Sequence, residues 1–360
     1  MKEITYTDNM IDEIKEILNN ARSNIAQQVN TELLTAYWNI GKIIVEHEQN
    51  NNKRAEYGKQ ALRELSKILT NEFGKGFSVS NIQFMRRFYQ NYQIQQTVSV
   101  KLSWSHYCEL LSISDINKRS FYEKECVNSN WSVRELKRQI STSLYERLLL
   151  SDGKTNKETV LSLALKGNEI NTPKDIIKDP YVFEFLGIPE NKPILECELE
   201  KALVSQIEKF LLELGRGFMF VGTQQRVTLN NTHYYIDMVF YNKILRSYIL
   251  IELKTVKLSP EAVGQLNMYL NYYASEVNDP DDNEPIGIIL CTDKDSITAE
   301  YALGGLSSNI FASKYTYCIP DKQELIAQVQ SVLDDFHKTD NNLKTIRAFS
   351  FNQKIRHISQ

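Results

Sequence analysis

HYYIDMVFYNKILRSYILIELKTV, residues 233–256, contains two apolar runs of strand length joined by the polar turn NKILR, and each run carries charge where a core is expected. Asp237 interrupts the first run; Glu252 and Lys254 close the second. Side chains alternate across a strand, so Ile249, Ile251 and Leu253 take one face while Leu250, Glu252 and Lys254 take the other. A short turn favours an antiparallel hairpin, which brings Asp237 beside that pair. Ions in half-buried surroundings are costly unless paired or bound to a metal. Two carboxylates and an ammonium at strand ends satisfy one another best around a divalent cation. Mg²⁺ takes one or two carboxylates together with waters and phosphate oxygens and is the ion expected here, with Mn²⁺ as a substitute. Such an ion acidifies a bound water and neutralises charge developing on a phosphodiester, and the lysine positions or deprotonates the nucleophile. A surface hairpin with a cross-strand Asp–Lys pair is the plainer account of the same residues.

The rest of the chain narrows the class. Its 360 residues are enough for two domains, and 42% hydrophobic and 24% charged residues are ordinary for a globular protein. No apolar run approaches the ~20 residues that cross a bilayer. The opening MKEITYTDNMIDEIKE is acidic and polar where a signal peptide is basic and then apolar, so a cytoplasmic location without membrane contact is expected. Five scattered cysteines, Cys108, Cys126, Cys197, Cys291 and Cys318, read as reduced core thiols. The five histidines lack ligand spacing, which leaves oxygen as the donor for any metal.

Net charge is −3, but Lys53 to Arg147 holds 16 Lys and Arg against 9 Asp and Glu, the balance of a nucleic-acid-binding subregion or of a solvated helical surface. Apolar residues recur at three and four through residues 9–150, as in IDEIKEILNNARSNIAQQV, so residues 1–150 form a helical domain. SDGKTNKET, NTPKD and GIPENKP mark 151–193 as a linker. Residues 194–335 then change to a long helix, short strands, another helix and more strands, an α/β or α+β pattern, before a basic tail at 336–360. GKTNKE at 153 lacks the upstream glycine of a phosphate-binding loop, Leu148 standing in its place, and is discarded.

Two helix–turn–helix units are expected in the helical half. KQALRELSKILTNEF ends at GKGF and SVSNIQFMRRFYQNY follows, with Ser80 as cap and Arg86 and Arg87 on the second helix. DINKRSFYEKECV turns at NSNW into SVRELKRQISTSLYERLL, where Ser132 and Glu135 form a capping box and Arg134, Lys137 and Arg138 populate the exposed face. This geometry places basic helices against phosphates or in a major groove, although any helical bundle is built the same way.

Flanking segments add site candidates. Taken as one helix, LECELEKALVSQIEKFLLELG buries Leu203, Val204, Ile207, Leu211 and Leu214 and puts Glu200 within that apolar arc, either as a site residue or as a first-turn acid favoured by the helix dipole. In LSPEAVGQLNMYLNYY, Ser259 caps, Pro260 opens the helix, and Gln265 and Tyr269 stand one turn apart, placed to face the cleft, with core packing an equal account of Tyr269.

The spacing D-x14-E-x-K is that of PD-(D/E)XK nucleases, with Ile236 where the motif has proline. YWNIGKII, EYGKQALRELSKILTNEFGKGFSVSNI, LSWSHYCELL, NWSVRELKRQI, FLLELGRGFMFVGTQQRV, YYIDMVFYN, LIELKTVKLSPEAVGQLNMYLNYY and IGIILC together resemble the YhcG family over residues 10–320. The resemblance implies an all-helical N-terminal domain followed by a restriction-endonuclease-like domain with a central mixed sheet. It also implies catalysis by Asp237, Glu252 and Lys254, assisted by Gln265, and an acid from the first helix of the nuclease domain, Glu200, joining Asp237 and Glu252 around the metal. The function expected is a Mg²⁺-dependent DNA endonuclease, with Arg86, Arg87, Arg134, Lys137 and Arg138 on the DNA backbone and a homodimer for double-strand cleavage. Branched, foreign and nicked DNA stay open as substrates. So do a non-catalytic DNA-binding protein that keeps the nuclease fold and a nuclease acting on RNA. Gly222, Gln225 and Arg226 in the family-like stretch are explained as a turn glycine and exposed strand residues.

Overall fold

The computed structural model describes residues 8–50, 55–92, 99, 101–151, 157–189, 193–293 and 309–330. The basic tail and residues 153–156 of GKTNKE lie outside them. The elements that frame the argument are α1 Asp8–Asn50, α2 Ala55–Phe73, α3 Val79–Asn91, α4 Trp104–Leu110, α5 Ile116–Ser129, α6 Val133–Ser141, α7 Leu144–Ser151, α8 Lys157–Lys166, β1 Tyr181–Val182, α9 Glu196–Ser205, α10 Ile207–Leu214, β2 Phe218–Leu229, β3 Thr232–Asn242, β4 Ser247–Leu253, α11 Pro260–Tyr272, β5 Ile286–Cys291 and β6 Ile310–Thr316, and residues 322–330 are helical as well. The described residues divide into two compact units, one holding those up to Arg119 together with Cys126–Leu136, the other Ser120–Glu125 and the described residues from Lys137 onward. The helical periodicity of the first half and the mixed pattern of the second are therefore both realised.

The first unit is built on α1 and α3. Phe88 on α3 is fully buried among the rings of Tyr92, Trp104 and Tyr107, and the Trp38 indole donates to the Tyr92 carbonyl. A Cβ at Gly41 would collide with the Met85 carbonyl, so the glycine lets α1 and α3 approach closely. The cap of α3 is Ser78, whose hydroxyl accepts from the Asn81 N–H; Ser80, expected as cap, lies inside the helix. Ser132 and Glu135 do form the capping box of α6, at 2.6 and 3.3 Å.

The second unit is a six-stranded mixed sheet in the order β1-β6-β5-β4-β3-β2. β2, β3 and β4 are antiparallel neighbours, whereas β4, β5, β6 and β1 run parallel. The parallel step from β4 to β5 crosses over through α11, the usual way to join parallel strands. β4 has helices against both faces. Ile249, Ile251 and Leu253 pack with Leu199, Leu203, Phe210 and Leu214 of α9 and α10, and Leu250 packs with Leu266, Tyr269 and Leu270 of α11. The alternation expected from the sequence is thus kept, with apolar residues filling both faces. At Gly287 of β5 a Cβ would strike the Leu266 side chain, so α11 rests directly on the strand backbone.

Three expectations change. The helix read through residues 195–215 breaks at Gln206 (φ −122°, ψ 36°), so one continuous wheel does not apply across Glu200 and Leu214. Part of the stretch read as linker is core, since Ile176, Tyr181 and Phe183 are buried and β1 pairs with β6. Its turn residues punctuate a compact segment that packs on the sheet. Of the five cysteines, none of which forms a disulfide, Cys197 and Cys318 are exposed.

A buried ionic cluster ties this segment to α10. Arg147 and Glu213 are both fully buried and 2.5 Å apart, and Arg147 also donates to the carbonyls of Thr142 and Pro180. Arg138 reaches Glu213 at 3.2 Å and Glu184 at 2.7 Å, and the Lys178 ammonium donates to the Glu213 carbonyl. Burial pushes the Glu213 carboxyl up, but Arg147, Lys178 and Arg138 outweigh burial and hold it at about 2.

Candidate active site

β3 and β4 pair from Asn242↔Ser247 to Met238↔Ile251, and just past the last pair Asp237 accepts the N–H of Leu253, the residue after Glu252. The Asp237 charge acts on the Glu252 carboxyl, so the two acids are neighbours where the strands part. The two acids are held differently. Asp237 accepts the Leu253 N–H at 2.8 Å, while Glu252 is 2% exposed. Its Oε1 is buried with no hydrogen-bond partner. Burial and the Asp237 charge push Glu252 up to about 8, and burial also raises Asp237. Paired acids destabilised in their charged forms are what a site for a cation looks like before the cation is counted.

Lys254 follows β4 directly. Its ammonium lies 3.7 Å from Glu252 and 3.1 Å from Glu196, the first residue of α9. Burial alone would lower its pKa, but Glu252 and Glu196 outweigh burial and raise it, so the amine is a cation. Glu196 also accepts the Thr255 N–H at 3.3 Å.

Glu200, one turn further along α9, is joined to the site through Gln224 of β2. The Gln224 amide lies 2.7 Å from Glu200 Oε2 and 3.4 Å from Asp237 Oδ1. Gln224 has φ +47° in the middle of a strand, a conformation uncommon for a residue other than glycine and most often retained where a side chain must be aimed. Burial raises Glu200, with a further rise from the Asp237 charge. On α11, Gln265 donates to the Tyr269 hydroxyl at 2.6 Å, and that hydroxyl donates to the Tyr235 carbonyl at 3.2 Å. Burial and the charges of Glu252 and Asp237 raise the Tyr269 phenol.

The residues named from sequence therefore separate. Asp237, Glu252 and Lys254 come together, with Gln265 and Tyr269 on the adjoining helix. Glu200 comes alongside Asp237 only by way of Gln224, and among the described residues no three His, Cys, Asp or Glu side chains form a group able to hold a metal by themselves. The donor set is two carboxylates, one with an unpartnered buried oxygen. That matches Mg²⁺ or Mn²⁺, which complete their shells with waters and phosphate oxygens, better than it matches zinc. Glu196 and Gln224 were not anticipated.

Of the basic residues expected on DNA, Arg87, Arg134 and Lys137 are exposed, Arg87 lying 6.0 Å from the Phe84 ring. Arg86 is bound to Glu48 at 2.5 Å. Arg138, expected on the exposed face of α6, turns inward to Glu184, Glu213 and the Val182 carbonyl. No helix among the described residues is long and apolar enough to cross a membrane.

Residues 174–332 match the family model of the YhcG PDDEXK nuclease domain, and residues 13–147 match that of the DUF1016 N-terminal domain. The sequence is 36% identical over 362 residues to the YhcG protein of Escherichia coli (strain K12), covering 91% of this chain and 95% of that one. Among solved structures, a repair endonuclease from Pyrococcus abyssi aligns at 16% identity and TM-score 0.25 over 36% of this chain and 50% of its own. EndoMS in its dsDNA2 complex aligns at 16% identity and TM-score 0.26 over 38% of this chain and 51% of its own.

Proposed function

The chain belongs to the YhcG family, whose C-terminal part is a PDDEXK nuclease domain, and on that footing we propose that it is a divalent-metal-dependent endonuclease hydrolysing phosphodiester bonds in DNA. The observation that carries this reading is the convergence of Asp237, which takes the Leu253 N–H at 2.8 Å, with Glu252 and with the Lys254 cation 3.7 Å from Glu252. Asp237 and Glu252 would hold Mg²⁺ or Mn²⁺, and Glu200 would stand beside them, oriented by Gln224. The ion supplies Lewis acidity towards the phosphoryl oxygens and a water of lowered pKa. Lys254, fixed between Glu196 and Glu252, orients the attacking water and offsets the negative charge that grows on the phosphorus centre. Gln265, anchored to Tyr269, offers an amide to the phosphate or the water.

The helical N-terminal half supplies affinity for the DNA backbone through Arg87, Arg134 and Lys137, an attraction that weakens as salt rises. One active site cuts one strand, so a homodimer cuts both. A cytoplasmic location belongs to the same reading. The test is incubation of the purified protein with supercoiled, linear and four-way-junction DNA and with RNA, with and without Mg²⁺. Metal-dependent cutting of DNA that Lys254→Ala abolishes without loss of binding supports the proposal. Cutting of RNA alone, or DNA binding with no cutting under any metal, replaces it with one of the alternatives.

A further inference from the structure

β2 and β3 run on as a two-stranded ribbon past the point where β4 ends. β4 accompanies β3 only from Asn242 to Met238, whereas β2 follows it to the tip through Arg226↔Tyr235, Val227↔Tyr234, Thr228↔His233 and Leu229↔Thr232. Asn230 and Asn231, with φ of 46° and 62°, close the ribbon with the two positive φ values that a type I′ hairpin turn requires. One face is anchored, since Val227 and Ile236 are buried and Leu229 and Tyr234 pack against the α11 side of the sheet. On the other face Arg226, Thr228, His233 and Tyr235 are all exposed, Tyr235 at 48%.

That open face adjoins the active site through Gln224, which is bonded to Glu200 and Asp237 and precedes Arg226 and Thr228 along β2, with Tyr235 and His233 opposite those two on β3. Strict alternation along β3 ends there, since Ile236 packs on the α11 side and Met238 on the α9 side. At ~3.4 Å per residue the strip from Asp237 to His233 is roughly 14 Å long. One DNA strand advances ~3.4 Å per nucleotide along the axis, so the strip spans about four nucleotides. Its charge fits a polyanion, because no Asp or Glu occurs between Glu213 and Asp237. Its chemistry fits as well, with a guanidinium for phosphate, an exposed aromatic ring for a sugar or base, and a hydroxyl–imidazole pair 3.0 Å apart in Thr228 and His233. A two-stranded ribbon is also narrow enough for the major groove.

We infer that the β2–β3 ribbon is a DNA-gripping arm that receives the nucleotides flanking the scissile phosphate, with Arg226 on a backbone phosphate, Tyr235 against a sugar or base, and Thr228 and His233 near the tip. The inference rests on the nuclease reading above and names the surface that seats its substrate.

The experiment measures binding of a fluorescein-labelled DNA duplex by anisotropy in chelator across a salt series, together with steady-state cleavage in Mg²⁺. It compares the full-length protein with Arg226→Ala, Tyr235→Ala, Tyr235→Phe and Lys254→Ala, all checked for an unchanged melting temperature. Arg226→Ala is expected to lower the salt dependence by about one phosphate contact. Tyr235→Ala is expected to weaken binding roughly tenfold and to raise KM with little change in kcat, and Tyr235→Phe to restore both by keeping the ring. Wild-type affinity, KM and salt slope in Arg226→Ala and Tyr235→Ala, with cleavage abolished in Lys254→Ala, would overturn the arm and leave the nuclease reading standing. A wild-type protein that neither binds nor cuts DNA removes both.

Discussion

Glu196 places one carboxylate oxygen 3.1 Å from the Lys254 ammonium and the other 3.3 Å from the Thr255 N–H. The first residue of α9 thereby clamps both the amine and the backbone that follows β4. Lys254 has a long, rotamer-rich side chain, and misplacing a reacting group by an ångström costs on the order of 10²-fold in rate. Glu196→Gln is accordingly expected to lower kcat by about that factor while leaving KM near its original value. Single-turnover cleavage with varied DNA concentration measures both. A proportional rise in KM instead would move Glu196 from holding the amine to binding substrate.

Glu252 is 2% exposed and held at about 8 by burial and the Asp237 charge, so without a cation its carboxyl destabilises the chain locally. Replacing Glu252 by Gln removes that ionisable group at nearly constant volume. The variant is expected to melt a few degrees above the wild type in chelator, the equivalent of about 1–2 kcal/mol. It should also lose the rise in melting temperature that Mg²⁺ or Mn²⁺ gives the wild type, and lose cleavage with it. Calorimetry with and without each metal decides the matter, and an undiminished metal response in Glu252→Gln would take that residue out of the ion site.

The legible part of the site is the part written in local pattern. Asp237, Glu252 and Lys254 stand out because charges break apolar runs of period two, and a short turn is enough to bring those runs together. Gln265 and Tyr269 stand out because one helical turn separates them. Glu196 and Gln224 have no such signature. Glu196 opens a helix that also carries Glu198 and Glu200, and only the path of β4 selects it. Gln224 meets Asp237 because the β2–β3 register shifts between Phe220 and Gly222, an irregularity that no residue pattern announces. Arg138 misleads for a related reason. Its acidic partners Glu184 and Glu213 are 46 and 75 residues away, so a helical wheel shows a basic residue and hides what neutralises it.

Glu213 gives the fold an acid-sensitive element. Its folded value is about 2 against an ordinary 4.5, so its contribution to stability is complete above 4.5 and is lost as pH falls towards 2. At 1.36 kcal/mol per pH unit of separation the contribution is about 3 kcal/mol. Glu213→Gln removes it and leaves the buried Arg147 without a carboxylate, a change expected to cost about 3–5 kcal/mol at neutral pH. Urea unfolding across pH 3 to 7 should show wild-type stability falling on the acid side with this group's share absent from the slope of the variant, and parallel curves would refute the assignment.

The basic residues of the helical half offer a contrast between surface and scaffold. Arg87, Arg134 and Lys137 are exposed, whereas Arg138 is 14% exposed and holds Glu184 and Glu213 at once. If the first group touches DNA phosphates, each alanine substitution should reduce the slope of log affinity against log salt by about 0.9 and leave the melting temperature unchanged. Arg138→Ala should do the reverse, lowering the melting temperature by taking the guanidinium from Glu184 and from the second oxygen of Glu213, with an unaltered salt slope in whatever fraction stays folded. Anisotropy titrations over a salt series and thermal melts of the four variants separate the two roles. A wild-type salt slope in Arg87→Ala, Arg134→Ala and Lys137→Ala alike would transfer DNA affinity away from these helices and onto the sheet domain.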